Sequence, residues 1–197
     1  MKTNIIISGV GGQGILTIAA VLDLAALDQD LYVKQSEVHG MSQRGGAVQS
    51  HVRISDTEIY SDLIPQEKAD LILSVEPMEL LRYIPFLKKE GWLITDSNTF
   101  INISNYPDKQ DLYNKIKSHP NNIIINATEV AKKLGNSKAA NMVLLGAASS
   151  LIPLSEDSML SAVRKLFQKK SERIINLNIE AFQTGKKVAK DYTDFAY

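Results

Sequence analysis

Short hydrophobic runs alternate along the chain with longer stretches in which hydrophobic residues recur at helical spacing. The first run, at 4–8, is β-branched and is closed by glycines, and the stretch at 15–28 that follows has the periodicity of a buried helix. Further strands are expected at 31–35, 48–54, 70–75, 91–96 and 122–126. This alternation is typical of βαβ units. It predicts an α/β fold, a Rossmann-like three-layer sandwich with a mostly parallel sheet.

The last third of the chain is predicted to be mainly helical. Ser155 is a favourable N-cap followed by two acidic residues, and a final helix is expected from about Glu172. Earlier in the chain, Pro77 is placed to begin a helix that Pro85 should end early. Because no linker, repeat or low-complexity segment interrupts the pattern, we expect one domain over residues 1–197.

The charge balance of the chain narrows its possible partners. The 197 residues include 22 Lys+Arg and 22 Asp+Glu, so the formal net charge is zero. A neutral chain offers no basic field, so nucleic acid and membrane surfaces are not expected partners. No apolar run approaches the roughly 18–20 residues that span a bilayer, and no signal segment opens the sequence, which favours a cytoplasmic protein.

The chain also contains no cysteine. A disulfide framework, a thiolate zinc site and an iron–sulfur cluster held by this chain are therefore excluded. The histidines, His39, His51 and His119, lack metal-binding spacing, and no nucleophile elbow occurs. We predict neither a catalytic residue nor a metal ligand. Asp96, at the end of a predicted strand, is expected either to face the ligand edge of the sheet or to form an Asx turn.

The segment GVGGQG at 9–14 is the most informative motif. It matches the pattern G-x-G-x-x-G between a predicted strand and a predicted helix, which is the context of a dinucleotide-binding loop. Glycine lets a phosphate approach the backbone closely, and the following helix N-terminus attracts an anion. The candidate binding residues in this loop are Gly9, Gly11, Gly12, Gln13 and Gly14.

Three interpretations of this loop can be compared. A dinucleotide site requires an acidic residue about 20 positions later, and Glu37 is the only candidate, one or two residues beyond the expected place. A nucleotide-hydrolysing P-loop is excluded because Ile15 and Leu16 stand where Lys and Ser/Thr are required. A tight strand-to-helix turn that binds no ligand stays open.

A second glycine segment, at 36–46, is polar and is predicted to be a flexible loop. It should lie at the carboxyl edge of the sheet beside the first glycine loop, where open α/β sheets place their ligands. Its candidate binding residues are Ser36, Glu37, Arg44, Gly45 and Gly46. Arg44 could clamp a phosphate or carboxylate, or it could form a structural ion pair in an exposed connection. Glu37 and His39 could form an acid/base pair, although nothing nearby completes a mechanism.

The segments GVGGQGIL at 9–16 and SEVHGMSQRGG at 36–46 together resemble the gamma-type domain of the 2-oxoacid:ferredoxin oxidoreductase family. Two later segments, ANMVLLGA at 140–147 and NIEAFQTG at 178–185, are similar as well. Within that family, the chain looks most like the small beta subunits that act on indolepyruvate. The resemblance covers essentially the whole chain, and the order and separation of the glycine segments make it specific.

The resemblance implies a subunit that is inactive alone. A large partner would carry thiamine diphosphate and iron–sulfur clusters, and the hetero-oligomer would oxidatively decarboxylate indolepyruvate or another 2-oxoacid to an acyl-CoA and pass electrons to ferredoxin. This chain would help to bind coenzyme A, whose pyrophosphate and 3′-phosphate suit an anion-receptive loop, or would shape the active-site channel. A stand-alone NAD-type oxidoreductase and a ligand-free interaction module are the alternatives.

Overall fold

The computed structural model describes residues 1–39 and 45–194, which contain six strands and seven α-helices. The strands are β1 (Lys2–Val10), β2 (Tyr32–His39), β3 (Ala47–Ser55), β4 (Ala69–Ser74), β5 (Leu87–Asp96) and β6 (Asn122–Ile125). The helices are α1 (Ile15–Leu27), α2 (Pro77–Leu81), α3 (Lys109–Lys117), α4 (Ala127–Lys133), α5 (Ala140–Ala148), α6 (Glu156–Phe167) and α7 (Glu172–Asp194). All the strands predicted from hydrophobic runs are present, and α1, α2, α6 and α7 begin where the sequence predicts.

The six strands form one mixed sheet in the order β2-β3-β1-β4-β5-β6. Strands β1, β4, β5 and β6 are parallel, as expected. Strand β3 departs from the prediction, because it runs antiparallel to both β1 and β2. The reason is the short connection between β2 and β3, since a parallel crossover needs a dozen or more residues.

The prediction of a loop that begins at Ser36 is wrong, because β2 continues to His39. In this strand Ser36 pairs with His51 and Glu37 pairs with Ser50. Polar residues are tolerated here because β2 is an edge strand, with the sheet on one side only. Backbone pairing with β3 therefore overrides the loop-like composition of this segment.

Helices cover both faces of the sheet, which gives the expected three layers. Ile5 and Ile7 of β1 point into the larger hydrophobic core, which also contains residues of α1, α5, α6 and α7. Ile6 points the other way, into a smaller core with Leu80 of α2 and Ile116 of α3. No helix in the described ranges is long and apolar enough to cross a membrane.

Helices α5 and α7 cross at two glycines. A Cβ atom on Gly146 would come closer than 3.0 Å to the backbone of Phe182, and one on Gly185 would come equally close to the backbone of Val143. The two helix backbones therefore touch directly. The segments at 140–147 and 178–185, which resemble the 2-oxoacid:ferredoxin oxidoreductase family, thus have a packing role.

Candidate functional site

The first glycine segment forms a tight turn between β1 and α1. The backbone N–H of Gln13 donates to the carbonyl oxygen of Val10 at 3.1 Å, and the Oε1 atom of Gln13 accepts from the N–H of Val10 at 2.7 Å. The side-chain oxygen of Gln13 is therefore used to close the turn. This leaves the backbone of the loop, rather than the Gln13 oxygen, as its candidate binding surface.

Two glycines of the turn have backbone conformations that other residues rarely adopt. Gly12 has φ of +98° and Gly14 has φ of +81°. A Cβ atom on Gly14 would collide with the side-chain amide of Asn141, whereas one on Gly12 would meet no atom within 4 Å. Gly14 is therefore required by packing as well as by φ, while Gly12 borders open space.

The helix that follows the turn begins without a side-chain cap. Gly14 is the N-cap residue of α1, no side chain accepts from its first N–H groups, and its first turn has no acidic residue. In α5 the N-cap residue Ala139 gives no side-chain cap and the first turn has no acidic residue, but the N–H of Met142 donates to Oδ1 of Asn141 at 2.9 Å. By contrast, the other α-helices for which an N-cap is described each have a side-chain oxygen that accepts from their first turn. These N-cap residues are Glu76 in α2, Asp108 in α3, Asn126 in α4 and Ser155 in α6. The positive end of the α1 dipole is thus left for another acceptor.

The N-termini of α1 and α5 border one cavity of about 490 Å³ at the carboxyl edge of the sheet. It is lined by Val75 directly after β4 and by Asp96 at the end of β5, and by residues of the glycine loop, α1, α4, α5, α6, α7 and the short segment before α5. Lys138 contributes a cation to this wall. The polar residues that line the cavity are Gln13, Thr17, Asp96, Thr128, Asn136, Ser137, Lys138, Asn141 and Asn178.

Asp96 provides the carboxylate of the cavity and is 2% exposed. One of its oxygens accepts from the N–H of Asn98 at 3.0 Å, and the other accepts from Thr128, from the N–H at 3.1 Å and from Oγ1 at 2.5 Å. Burial raises the pKa of Asp96, and the hydrogen bonds from Thr128 oppose that rise. Both expectations for Asp96 are confirmed, since it forms an Asx turn and also faces the ligand edge.

The second glycine segment meets the first through its last residues. The N–H of Gly11 donates to the carbonyl oxygen of Gly46 at 2.9 Å. Gly45 has φ of +80°, and its carbonyl oxygen accepts from Nδ2 of Asn102 at 2.8 Å. The expected proximity of the two glycine segments is therefore confirmed at Gly46, whereas Gly45 is hydrogen-bonded to Asn102.

The other candidates of that segment are placed differently. Ser36 shares a sheet face with His51, on the side away from α1, and Glu37 lies on the α1 side near Asp23. Among the described residues, neither Ser36 nor Glu37 lines the cavity. Arg44 and the side chain of His39 fall outside the described part of the chain. Because β3 separates β2 from β1, the acidic position expected of a dinucleotide site is not formed by Glu37.

Sequence reasoning missed most of the cavity wall. Asn141 donates from Nδ2 to the carbonyl oxygen of Gly14 at 3.2 Å, although the two residues are 127 positions apart. A signal for Asn141 was present, because it is a polar residue in the otherwise apolar helix ANMVLLGAA. Thr128 and Lys138 had no such signal, since they lie in ordinary polar helical segments.

The comparisons with known proteins agree with this geometry. The sequence profile of the pyruvate ferredoxin/flavodoxin oxidoreductase family matches residues 4–188. An indolepyruvate oxidoreductase subunit IorB from Pyrococcus horikoshii is 38% identical over 198 aligned positions, which cover 95% of this chain and 96% of that protein. A 2-oxoglutarate synthase subunit KorC from Methanothermobacter marburgensis is 31% identical over 95% of this chain and 97% of that protein.

Solved structures share the fold. The gamma subunit of a keto/oxoacid ferredoxin oxidoreductase from Geobacter sulfurreducens has a TM-score of 0.70 and 27% identity, over 96% of this chain and 99% of that chain. A 2-oxoglutarate:ferredoxin oxidoreductase from Magnetococcus marinus, with 2-oxoglutarate, coenzyme A and succinyl-CoA bound, has a TM-score of 0.76 and 23% identity, over 96% of this chain and 31% of that chain. The profile match, together with relatives that are 31–38% identical in alignments covering nearly their whole length, shows that this chain belongs to the pyruvate ferredoxin/flavodoxin oxidoreductase family.

Proposed function

We propose that this chain is the small, non-catalytic subunit of a 2-oxoacid:ferredoxin oxidoreductase whose substrate is indolepyruvate or a similar aryl pyruvate. Its contribution is to hold coenzyme A by the phosphates at the carboxyl edge of the sheet. The substrate assignment follows the IorB relative, which is the more similar of the two curated relatives described above. The large subunit supplies thiamine diphosphate and iron–sulfur clusters, and ferredoxin accepts the electrons.

The observation that carries the proposal is the meeting of two helix N-termini and a lysine in one cavity. The first N–H groups of α1 lack side-chain acceptors, the N-terminus of α5 lines the same cavity, and Lys138 lies on its wall. An anionic ligand satisfies these groups and the two helix dipoles together. Coenzyme A brings two separate anionic groups, a pyrophosphate and a 3′-phosphate, which suits several positive poles in one cavity.

The remaining lining residues suit the neutral part of a nucleotide. Asp96 and Asn178 can accept hydrogen bonds from hydroxyl or amino groups, and Val75 and Phe167 give the cavity apolar surface. The open space beside Gly12 lets a phosphate oxygen approach the backbone. We therefore assign Gly9, Gly11, Gly12, Gln13 and Gly14 to the binding loop and its support, with Gly45 and Gly46 buttressing it from the β3 side.

The division of labour between the subunits follows from the chemistry of this chain. A chain without cysteine cannot hold the usual iron–sulfur clusters. The described residues also contain no cluster of three or more side chains that could hold a metal ion. We assign the electron-transfer and decarboxylation steps to the large subunit and the positioning of one substrate to this chain.

Coenzyme A binding by the complex of this chain with its large subunit tests the proposal. Lys138→Ala removes the cation from the cavity wall, and we expect it to weaken the affinity about tenfold, which corresponds to about 1.4 kcal/mol. The melting temperature should stay unchanged, because Lys138 is exposed. Lys133→Ala is the matched control, since Lys133 is an exposed lysine in the last turn of α4 that does not line the cavity. Equal affinity in all three proteins would contradict the proposal.

A nicotinamide dinucleotide is the second candidate ligand, because the glycine loop also suits its pyrophosphate. The position of Glu37 on β2, away from the cavity, counts against this candidate. The same titration with NADH separates the two. Tight NADH binding that coenzyme A does not displace would favour the dinucleotide, and binding of neither would favour a ligand-free module.

A further inference from the structure

The carboxyl edge of the sheet carries a group of exposed hydrophobic side chains that we call the edge patch. It consists of Phe100, Ile101 and Ile103, in the connection between β5 and α3, which are 45%, 75% and 40% exposed. We propose that the edge patch is the surface on which the large subunit docks. This inference rests on the proposed function and adds to it the partner-contacting surface of this chain.

The connection that carries the edge patch is anchored to the interior. Glu76 is fully buried, and its Oε1 atom accepts hydrogen bonds from the N–H of Phe100 at 3.3 Å and from the hydroxyl of Tyr106. At the start of the connection, the hydroxyl of Tyr113 donates to the carbonyl oxygen of Ser97. The backbone is therefore held on both sides of the edge patch.

This anchoring is more than a simple connection requires. A buried carboxylate is costly unless hydrogen bonds satisfy it, and Glu76 meets that condition by accepting from Phe100, Tyr106 and the N–H of Glu79, the last at 2.8 Å. The outcome is a fixed loop that keeps hydrophobic side chains in water. Such an arrangement favours association, because a backbone that is already held in place loses little entropy when a partner covers it.

The position of the edge patch indicates which partner covers it. Asn102, between two of its residues, donates to the carbonyl oxygen of Gly45 at 2.8 Å, and Gly46 accepts from Gly11 in the first glycine loop. The edge patch is thus linked, through Gly45 and Gly46, to the glycine loop of the site proposed for coenzyme A. A thiol held there must reach the cofactor of the large subunit, so that subunit has to cover this edge of the sheet.

A second copy of this chain is a poorer occupant for the same reason. Two copies joined through their edge patches would turn both cavities toward each other and away from the large subunit. The fold also occurs within the longer Magnetococcus marinus polypeptide, of which it spans about a third. The large subunit is therefore the partner to which we commit.

The test is assembly of the tagged chain with the large subunit encoded in the same genome. Ile101→Asp places a charge in the centre of the edge patch, and we expect the dissociation constant for the large subunit to rise about 30-fold or more. Leu27→Asp is the matched control, because Leu27 is an aliphatic residue 58% exposed at the opposite edge of the sheet, where α1 ends. The control should assemble like the parent chain.

A second variant tests the anchoring without changing the edge patch itself. Tyr106→Phe removes the hydroxyl that donates to Glu76, and we expect a dissociation constant several-fold higher together with a lower melting temperature, because the buried carboxylate loses one of its donors. Melting temperatures for all variants separate loss of docking from loss of folding.

The outcomes keep the two proposals apart. If the parent chain assembles and turns over with coenzyme A while Ile101→Asp assembles equally well, the docking surface is wrong and the proposed function stands. If the parent chain does not capture the large subunit at all, the proposed function fails first. Equal weakening by Ile101→Asp and Leu27→Asp, or self-association of the parent chain that Ile101→Asp abolishes, would also overturn the docking surface.

Discussion

The glycines at the crossing of α5 and α7 and the glycines of the loop before α1 are the same residue type used for different reasons. At the crossing, Gly146 and Gly185 are helical, and a side chain on either would collide with the backbone of the other helix. In the loop, Gly12 has a positive φ and no atom within 4 Å of an added Cβ. The first pair is required by the protein's own packing, whereas the space beside Gly12 is left for something else.

The largest effect is expected at the helix crossing. Gly146→Ala would force the backbones of α5 and α7 apart, and no flexible side chain can move to make room. We expect the free energy of unfolding to fall by about 3 kcal/mol or more. Urea unfolding measures this value, and a loss below about 1 kcal/mol would show that the crossing is looser than described.

Gly14 is required both by packing and by its positive φ, and its substitution should lower stability by an intermediate amount. In Gly14→Ala the new Cβ meets the side-chain amide of Asn141, and the residue must also keep φ of +81°. We expect a loss of about 2 kcal/mol, from strain at positive φ and from the displaced amide. The double variant with Asn141→Ala should be less destabilised than the sum of the single variants, because it removes the collision. Strict additivity in urea unfolding would contradict the contact.

Substitutions of Gly12 and Gly135 form a matched pair that tests ligand binding, with Gly135 as the control. Both have positive φ, +98° and +105°, and neither has an atom within 4 Å of an added Cβ. Gly12→Ala and Gly135→Ala should each lower stability by about 1 kcal/mol. Only Gly12 lines the cavity, so only Gly12→Ala should raise the KM for coenzyme A in the assembled enzyme, about tenfold or more. Similar KM values for both variants would remove the reason for linking Gly12 to a ligand.

The smallest effect concerns Asp23 of α1, the helix that links the loop to the helical layer. Burial, and secondly the charge of Glu37, raise the pKa of Asp23 from 3.8 to about 6. The folded protein therefore holds this proton more tightly than the unfolded chain does. The contribution of protonated Asp23 to the free energy of unfolding is fully present below pH 3.8. It is lost as the pH rises through about 6.

Asp23→Asn should remove that pH dependence. Because Asp23 is only partly buried, we expect the variant to gain about 1 kcal/mol relative to the parent chain at pH 7, after allowing for solvent screening. Unfolding free energies measured from pH 4 to pH 7, with Asp28→Asn as an exposed control at the end of α1, check the prediction. Parallel pH profiles for the parent chain and Asp23→Asn would contradict it.

Hydrophobic periodicity was sufficient to predict the six strands and the helices α1, α2, α6 and α7, but it did not predict α3 or α4. Ile5, Ile6 and Ile7 are all buried in a central strand with helices on both faces, which is why a continuous β-branched run marked β1 so clearly. The glycine loop was equally visible, because its spacing between a strand and a helix is a local property. Residues 36–39 were assigned wrongly, since their polar composition says little about pairing with β3.

The sequence by itself determined the α/β class, the positions of most elements, the glycine loop and the family resemblance, because each depends on residues close together in the chain or on their order. The tertiary structure decided the rest. It inserted β3 between β2 and β1, which took Glu37 away from the cavity. It also brought Asp96, Lys138 and Asn141 to the loop, Asn141 across 127 positions. Strand order and helix crossings depend on long-range packing, which no local pattern encodes.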